Sequence, residues 1–552
     1  MIGDARRISP GASVEAQVCV IGAGPLGIAV TRSLLRAGLS VVQLESGSEG
    51  YDPTANALGD VGAIRFGGVR GLGNTRQVGG NSNAWQVRTG TTRRGVRLVP
   101  MTAADFEGHS GMPGSAWPFG IDTLTPYAAR AQQFFGLPDA GYEAEAWLTP
   151  RQGGQALEHP DVRSLVFQFA NGHDLVTRSA RALRENPGVQ LFTSATALEI
   201  LTNVDASRAV GVRVASAPGR EFHVRAQHVI LAAGTATTTQ LLLASDAVHP
   251  AGLGNSGGVL GRNFMDHLLL RGGIFRPRER TMLDQRDFYD IHTVGDVPVM
   301  GHLQLTDEAI RRGGLLNLSF VMLPRTDSER DQWSSRQITG QRAALAARES
   351  LIRRRMPSGR VLADLARGFD GVAGRQIQSL RQPVSSLGRG GWSRLRGPAS
   401  ERYTHFEVMH QAEQAPHPDN RMFLVDERDA LGARKLGVES TWHAEDADAT
   451  VRAQETFARA LSESGWGEFE IASTGDRPVV HSHSSNHFMG TTRMSTSPES
   501  GVVDAHGAVH GTPNLFVASS SVFPSGGFAN VTLTALALSL RTADAVIARS
   551  HA

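Results

Sequence analysis

The stretch AQVCVIGAGPLGIAVTRSLLRAGLSVVQLESG, residues 16–47, decides the fold. An apolar run, Val18 to Ile21, enters the turn Gly22-Ala23-Gly24-Pro25-Leu26-Gly27. Apolar residues then recur at helical spacing, and a second apolar run, Val41 to Leu44, ends on Glu45. Strand, glycine turn, amphipathic helix and strand make a βαβ unit of a parallel sheet. Each glycine of a G-x-G-x-x-G has its own physical reason. Gly22 allows the tight turn, Gly24 lets the backbone approach a pyrophosphate, and Gly27 lets the helix pack close to the strand. The helix N-terminus opens on that turn with unpaired N–H groups and the positive end of its dipole, which suits phosphate. Glu45 stands where a carboxylate accepts hydrogen bonds from a ribose. The six-residue motif alone is weak, but the whole unit predicts a dinucleotide site. It leaves flavin and nicotinamide open.

Outward from this unit, 552 residues suffice for two or more cores. Of 55 basic residues only Lys435 is a lysine, yet the formal net charge is +2, which argues against a nucleic-acid-binding surface. The single cysteine, Cys19, excludes an intrachain disulfide and a thiolate metal cage; a reducing compartment, hence a cytoplasmic location, is the expectation. MIGDARRISPGASVEA at the N-terminus lacks the apolar segment of a secretory signal. The charge-free stretch 511–540 is long enough to span a bilayer. It is broken by Pro513, Pro524 and Ser519-Ser520-Ser521, so no transmembrane helix is expected.

Residues 189–245 read as a second strand-rich unit ending in HVILAAGTATTTQLLLAS, a strand, glycine turn and helix. Between about 268 and 445 six strand-like runs follow without regular intervening helices: LLLRGGIF, VMGHLQL, LLNLSFVML, THFEVMHQAEQ, RMFLV and KLGVESTW. Such runs predict an antiparallel sheet and a second architecture. Gln411 and Glu413 fall in it without an assigned role. Inserted there, residues 326–402 carry 15 arginines against 7 acids. A solvated helical excursion is the preferred reading, with a membrane or protein partner the less favoured one.

The C-terminal region carries a resemblance. His487-Phe488-Met489-Gly490-Thr491-Thr492-Arg493-Met494 and GVVDAHGAVHGTPNLFVASSSVFPSGGFANVTLTALALSLRTADAVIA, residues 501–548, resemble the C-terminal signature of the glucose–methanol–choline (GMC) family of FAD-dependent oxidoreductases. Further matches are the GGNSNAW loop at Gly79 to Trp85, the AAG turn from Ala232 to Leu243, GRNFMDH at Gly261 to His267, and EQAPHPDNRMFL at Glu413 to Leu424. Motif by motif the chain looks closest to pyranose oxidases and bacterial sugar oxidases.

The resemblance implies an α/β fold: a Rossmann-like FAD-binding domain with a substrate domain on an antiparallel sheet. The FAD-binding parts would be residues 1–150, 189–267 and 481–552, the substrate domain 268–480, and 151–188 a substrate-side segment or linker. It also implies His487 as the base that takes the hydroxyl proton, and Asn530 as its partner, which orients the alcohol. FAD would contact Gly22, Gly24, Pro25, Leu26, Gly27, Glu45, Arg76, Gly80, Asn81, Asn83, Ala84, Trp85, Ala233, Gly234, Ser519, Val531 and Thr532. Relatives that tether the flavin use a histidine where Ala84 stands, so non-covalent FAD is expected. Ser519 replaces an acidic residue of the family pattern and Val531 a proline. His481, His483 and His487 lie close together, but with no carboxylate among them a metal site is not expected. His510 falls on a strand of the pattern and reads as structural. GNSGG at 254–258 matches a hydrolase nucleophile motif in letters only, since no strand and helix flank it.

The implied function is oxidation of a small alcohol, whether sugar, glycoside or aminosugar, with O2 or another electron acceptor. Two rivals remain: a non-redox lyase on the same fold, and a dehydrogenase that passes electrons to a protein or membrane acceptor.

Overall fold

The Ser13–Ile21 strand occupies the middle of a parallel sheet because its second half is apolar on both faces; Val18, Cys19 and Val20 are fully buried. In this computed structural model it pairs on one side with Val41–Leu44, followed by Val189–Thr193 and Ile2–Asp4. On the other side it pairs with Arg220–Leu231, whose last three residues also pair with Thr512–Val517. All these pairings are parallel. Thr196–Thr202 and Ala209–Ala217 extend the sheet in antiparallel fashion. The structure describes residues 2–551 apart from 67–71, 73–74, 86, 90–91, 110, 153–154, 286, 327–342, 345, 348–349, 351–355 and 368–398.

One face of the parallel sheet is covered by three helices: Pro25–Arg36, Gly172–Arg184 and Thr532–His551. Their buried residues Ile28, Val30, Leu34, Val176, Leu183, Ala543 and Val546 form one core with Val18, Val20, Val41, Leu191, Ile230 and Phe516. The stretch 511–540 thus supplies a strand, a short 3-10 turn and the start of a helix, and no helix among the described residues is long and apolar enough to cross a membrane.

The second architecture is an antiparallel sheet. Its strands run in the order Ser473–Thr474, Arg477–Ser482, Leu268–Pro277, His405–Ala412, Ser319–Arg325, Val297–Leu305, Val162–Ala170, Thr92–Leu98 and Val87–Thr89. Glu407 holds its middle, accepting from Arg271 Nε at 3.1 Å and Arg325 Nε at 2.8 Å on the two flanking strands. Helix Ala444–Glu463 packs on it through Phe457, whose ring centroid lies 5.0 Å from that of Phe320.

Two expected members are absent from this sheet. Arg421–Arg428 and Arg434–Ser440 pair instead with each other and with Ala63–Phe66 as a three-stranded sheet. The reason is burial. The four runs that join the large sheet are almost wholly buried, whereas this hairpin alternates with charge (Asp426, Glu427, Arg428, Lys435, Glu439) and its end is exposed. The large sheet also takes in Thr92–Leu98, inside the segment assigned to FAD binding, and Val162–Ala170, inside the unassigned 151–188. Most of the arginine-rich insert, with QRAALAARESLIRRRM, lies outside the described residues; Gly359–Arg367 and Ala399–Arg402 are helical.

Gly27 shows how tightly the first turn is built. A Cβ on it would lie 2.1 Å from the Gly22 carbonyl oxygen and 3.3 Å from Ala232 Cβ. Glycine to alanine inside a helix ordinarily stabilises by up to about 1 kcal/mol. Here overpacking reverses the sign, and Gly27→Ala is expected to destabilise by about 1–3 kcal/mol, read as a lower urea midpoint.

Candidate active site

A cavity of about 450 Å³ opens where the parallel sheet meets the antiparallel one. Its near end is the first glycine turn. Gly22 sits at φ 107°, and a Cβ there would lie 2.5 Å from the Ala232 carbonyl oxygen, so this turn presses against the second one at Ala232-Ala233-Gly234. Gly24 is the N-cap of the Pro25–Arg36 helix and makes no side-chain cap, which leaves the first-turn N–H groups for a ligand. Gly80 packs against it, since a Cβ on Gly80 would meet Gly24 Cα at 3.0 Å.

Glu45 ends the second strand and ties the turn down: Oε2 accepts from the Ala23 N–H at 3.0 Å and Oε1 from the Gly47 N–H at 2.9 Å. Burial pushes its carboxyl up from the usual range, opposed by those two bonds and by the charge of Arg76. Arg76 is itself buried. It spends one N–H on the Leu58 carbonyl at 3.3 Å, its Nε has no partner, and no carboxylate forms an ion pair with it among the described residues. A buried, unpaired guanidinium lining the same cavity as an uncapped helix N-terminus matches what a pyrophosphate requires.

Gly22, Gly24, Pro25, Leu26, Glu45, Arg76, Gly80, Asn81, Ala84 and Trp85 line the cavity, as do Ala233, Gly234, Ser519, Val531 and Thr532. Two expected contacts do not. Gly27 is taken up by packing within the turn, and Asn83 turns its amide back on its own loop, donating to the Val78 and Gly80 carbonyls. Ser519 caps the 3-10 turn Ser520–Val522 by accepting from the Ser521 N–H. Asp429 and Ala433, at the tip of the charged hairpin, close the wall near Gln240 and Ala244. His510 is bonded to the Ser495 carbonyl and is not among the lining residues.

The far end holds His487, Asn530 and Arg97. Arg97 Nη2 donates to Gln411 Oε1 at 2.7 Å and to Asn530 Oδ1 at 3.0 Å. A guanidinium can only donate, so Gln411 must present its oxygen to Arg97 and its Nε2 to the other side. There Nε2 donates to Asn530 Oδ1 at 2.9 Å and to the Phe528 carbonyl, and faces His267 Nδ1 at 3.3 Å. Both N–H groups of Nε2 are taken by Asn530 and Phe528, so the contact with His267 Nδ1 fixes no proton. His267 Nδ1 and His487 Nδ1 lie 3.0 Å apart, and one of the two carries the proton between them. With that proton on His487 Nδ1, its Nε2 is a lone pair; Asn530, with two donors on its oxygen, keeps its NH2 to offer.

Asp266 pins this arrangement. Its Oδ1 accepts from the backbone N–H of His487 at 2.9 Å and of His267 at 2.8 Å, and its Oδ2 from the Ser484 hydroxyl. Burial drives the Asp266 carboxyl up to about 7 against those bonds. His487 is held well below the ordinary imidazole value, first by burial and then by His267 and Arg97. Burial likewise brings His267 down to about 4 and Arg97 down to about 10, which leaves the guanidinium charged at neutral pH. Behind them, fully buried Glu413 accepts from His109 Nε2 at 2.9 Å, from the Gly527 N–H at 2.9 Å and from the Asn317 N–H at 3.0 Å, fixing the loop that leads to Asn530.

Sequence reasoning assigned no role to Arg97, His267, Gln411 or Asp266. His267 and Asp266 ended a quoted motif, which was a usable signal. Arg97 is one arginine in TTRRGVRL and gave none.

Comparison with known proteins points to one family of oxidoreductases. Two profiles described as GMC oxidoreductase match residues 175–269 and 416–539. The fructose dehydrogenase large subunit of Gluconobacter japonicus is 26% identical over 60% of this chain, a match spanning 49% of that protein's length. Paromamine 6'-oxidase of Streptomyces fradiae is 24% identical, covering 96% of this chain and 91% of its own. The crystal structure of formate oxidase shares the fold, with a TM-score of 0.53 and 16% identity over 98% of this chain and 99% of that one. The first matched segment carries the second glycine turn and His267, and the second carries His487 and Asn530. The chain thus carries both segments that mark the GMC oxidoreductases, the N-terminal one at residues 175–269 and the C-terminal one at 416–539.

Proposed function

We propose that the chain oxidises a hydroxyl of a sugar, glycoside or aminosugar to an aldehyde or ketone, with His487 as base and Asn530 as the group that orients the alcohol. The observation that carries the reading is the pairing of His487 with Asn530 at the far end of the cavity. With the proton of the His267–His487 contact on His487 Nδ1, Nε2 has a lone pair, and the Asn530 oxygen is already occupied by two donors. An alcohol needs one acceptor for its proton and one donor for its oxygen, and this pair supplies both. Support for a polyhydroxylated substrate comes from the names of relatives such as paromamine 6'-oxidase and fructose dehydrogenase.

FAD would be held by the first glycine turn, Glu45, Arg76 and the Gly80–Ala84 loop, and it supplies the hydride acceptor. The protein's own part is to hold and move a proton. With His267 Nδ1 as acceptor, the His487 ring is in the tautomer that leaves Nε2 free, and Asp266 holds both backbones so that the rings meet. Ala84 offers no nucleophile to the flavin, so binding is non-covalent.

Acid precipitation should leave the yellow colour in the supernatant; a yellow pellet would show a covalent link. Anaerobic mixing with monosaccharides, glycosides, aminoglycosides and simple alcohols should bleach the flavin with the true substrate class. Bleaching by simple alcohols alone would remove the sugar assignment. His487→Ala should keep its FAD and slow that bleaching by about 10²-fold or more, in line with loss of a general base. The same residue sets the pH profile. His487 works unprotonated, and burial, His267 and Arg97 hold its pKa well below 6.5, with Asp266 on its backbone. The acid limb of kcat/KM should therefore fall below pH 6.5, with activity lost as pH drops through it.

A further inference from the structure

Arg97 presents a half-buried positive charge that no described carboxylate balances. Its guanidinium donates to two neutral amides, Gln411 and Asn530, and no carboxylate pairs with it among the described residues. The described carboxylates lining the cavity are Glu45, bound to the Ala23 and Gly47 N–H groups at the near end, and Asp429 at the hairpin tip. The side chain is also rigidly held. The guanidinium carbon lies 4.4 Å from the centre of the Phe167 ring, and His302 stacks on Phe167 at 3.7 Å with an interplanar angle of 7°. Arg97 borders the cavity together with His487 and Asn530. A guanidinium has five N–H groups, and the two hydrogen bonds to Gln411 and Asn530 both come from Nη2, so donors remain.

Taking such a charge out of water is costly unless a negative partner joins it. We propose that Arg97 binds an anionic oxygen in the reaction chamber. Two sources share that chemistry. When His487 Nε2 takes the hydroxyl proton, the electron pair stays on the substrate oxygen, and Arg97 would hold that alkoxide as the carbon gives up its hydride. A carboxylate already present on the substrate would bind the same donors. This inference rests on the alcohol-oxidation reading, which puts the substrate oxygen at His487. It excludes substrates with an ammonium group beside the reacting carbon, because that group would face Arg97 without a counter-ion.

The test uses the FAD-loaded protein and sodium acetate as probe. Acetate should perturb the visible flavin spectrum saturably in the wild type. Arg97→Gln should weaken its binding by 10-fold or more, and Arg97→Lys should restore much of it. FAD content and thermal midpoint show that both variants are folded. No saturable effect in the wild type, or equal affinity in Arg97→Gln, overturns the proposal. Rapid anaerobic reduction then separates the sources. With a neutral alcohol, loss of about 10²-fold in the reduction rate constant at nearly constant Kd marks the alkoxide. A rise in Kd confined to an acid such as glucuronate, with glucose unaffected, marks the carboxylate. Unchanged reduction and binding of both overturns the role. If no alcohol reduces the wild-type flavin, the oxidation reading fails, while the acetate titration still reports on Arg97.

Discussion

A guanidinium cannot accept a hydrogen bond, and that constraint sets the polarity of the two amides around Arg97. It fixes which end of Gln411 faces which neighbour and leaves the Asn530 oxygen with two donors, so that the Asn530 NH2 is the end left to offer. The proposed base stands at the end of a run of four side chains drawn from separate strands and loops. Gln411 and His267 within it are buried, where an unmet donor or acceptor costs about 1–3 kcal/mol, so a turned-over Gln411 amide is disfavoured.

The fold exists to bring these links together. The parallel sheet gathers segments from the first and last parts of the chain and delivers two glycine turns to one edge. The antiparallel sheet brings Arg97 and Gln411 to the same region from strands separated by 314 positions. Asp266 joins the two, since one carboxyl oxygen receives the backbone N–H groups of both facing histidines.

What could be read from the sequence was what is local. The glycine turn, its helix and Glu45 lie within 32 contiguous residues, and their spacing carries the physical reason for the site. The large sheet was legible as a run of strands, but strand alternation does not name a partner, so the hairpin Arg421–Ser440 was placed in the wrong sheet. Its charged residues were the available hint. Arg97 could not be found among 54 arginines, because what distinguishes it is the absence of a carboxylate around it, a property of the assembled structure. His267 could be located by motif, yet its part is a contact with His487, 220 positions away, that only the assembled structure shows.

The parallel sheet has a consequence for biosynthesis. Its first three strands and the first glycine turn are made within 45 residues, whereas the strand Thr512–Val517 and the residues Asn530 to Thr532 follow more than 460 residues later. Because synthesis delivers the N-terminal part first, the nucleotide turn waits through nearly the whole of translation with its apolar face uncovered by the final helix. A cofactor caught before the helix Thr532–His551 is made would meet an open half-site.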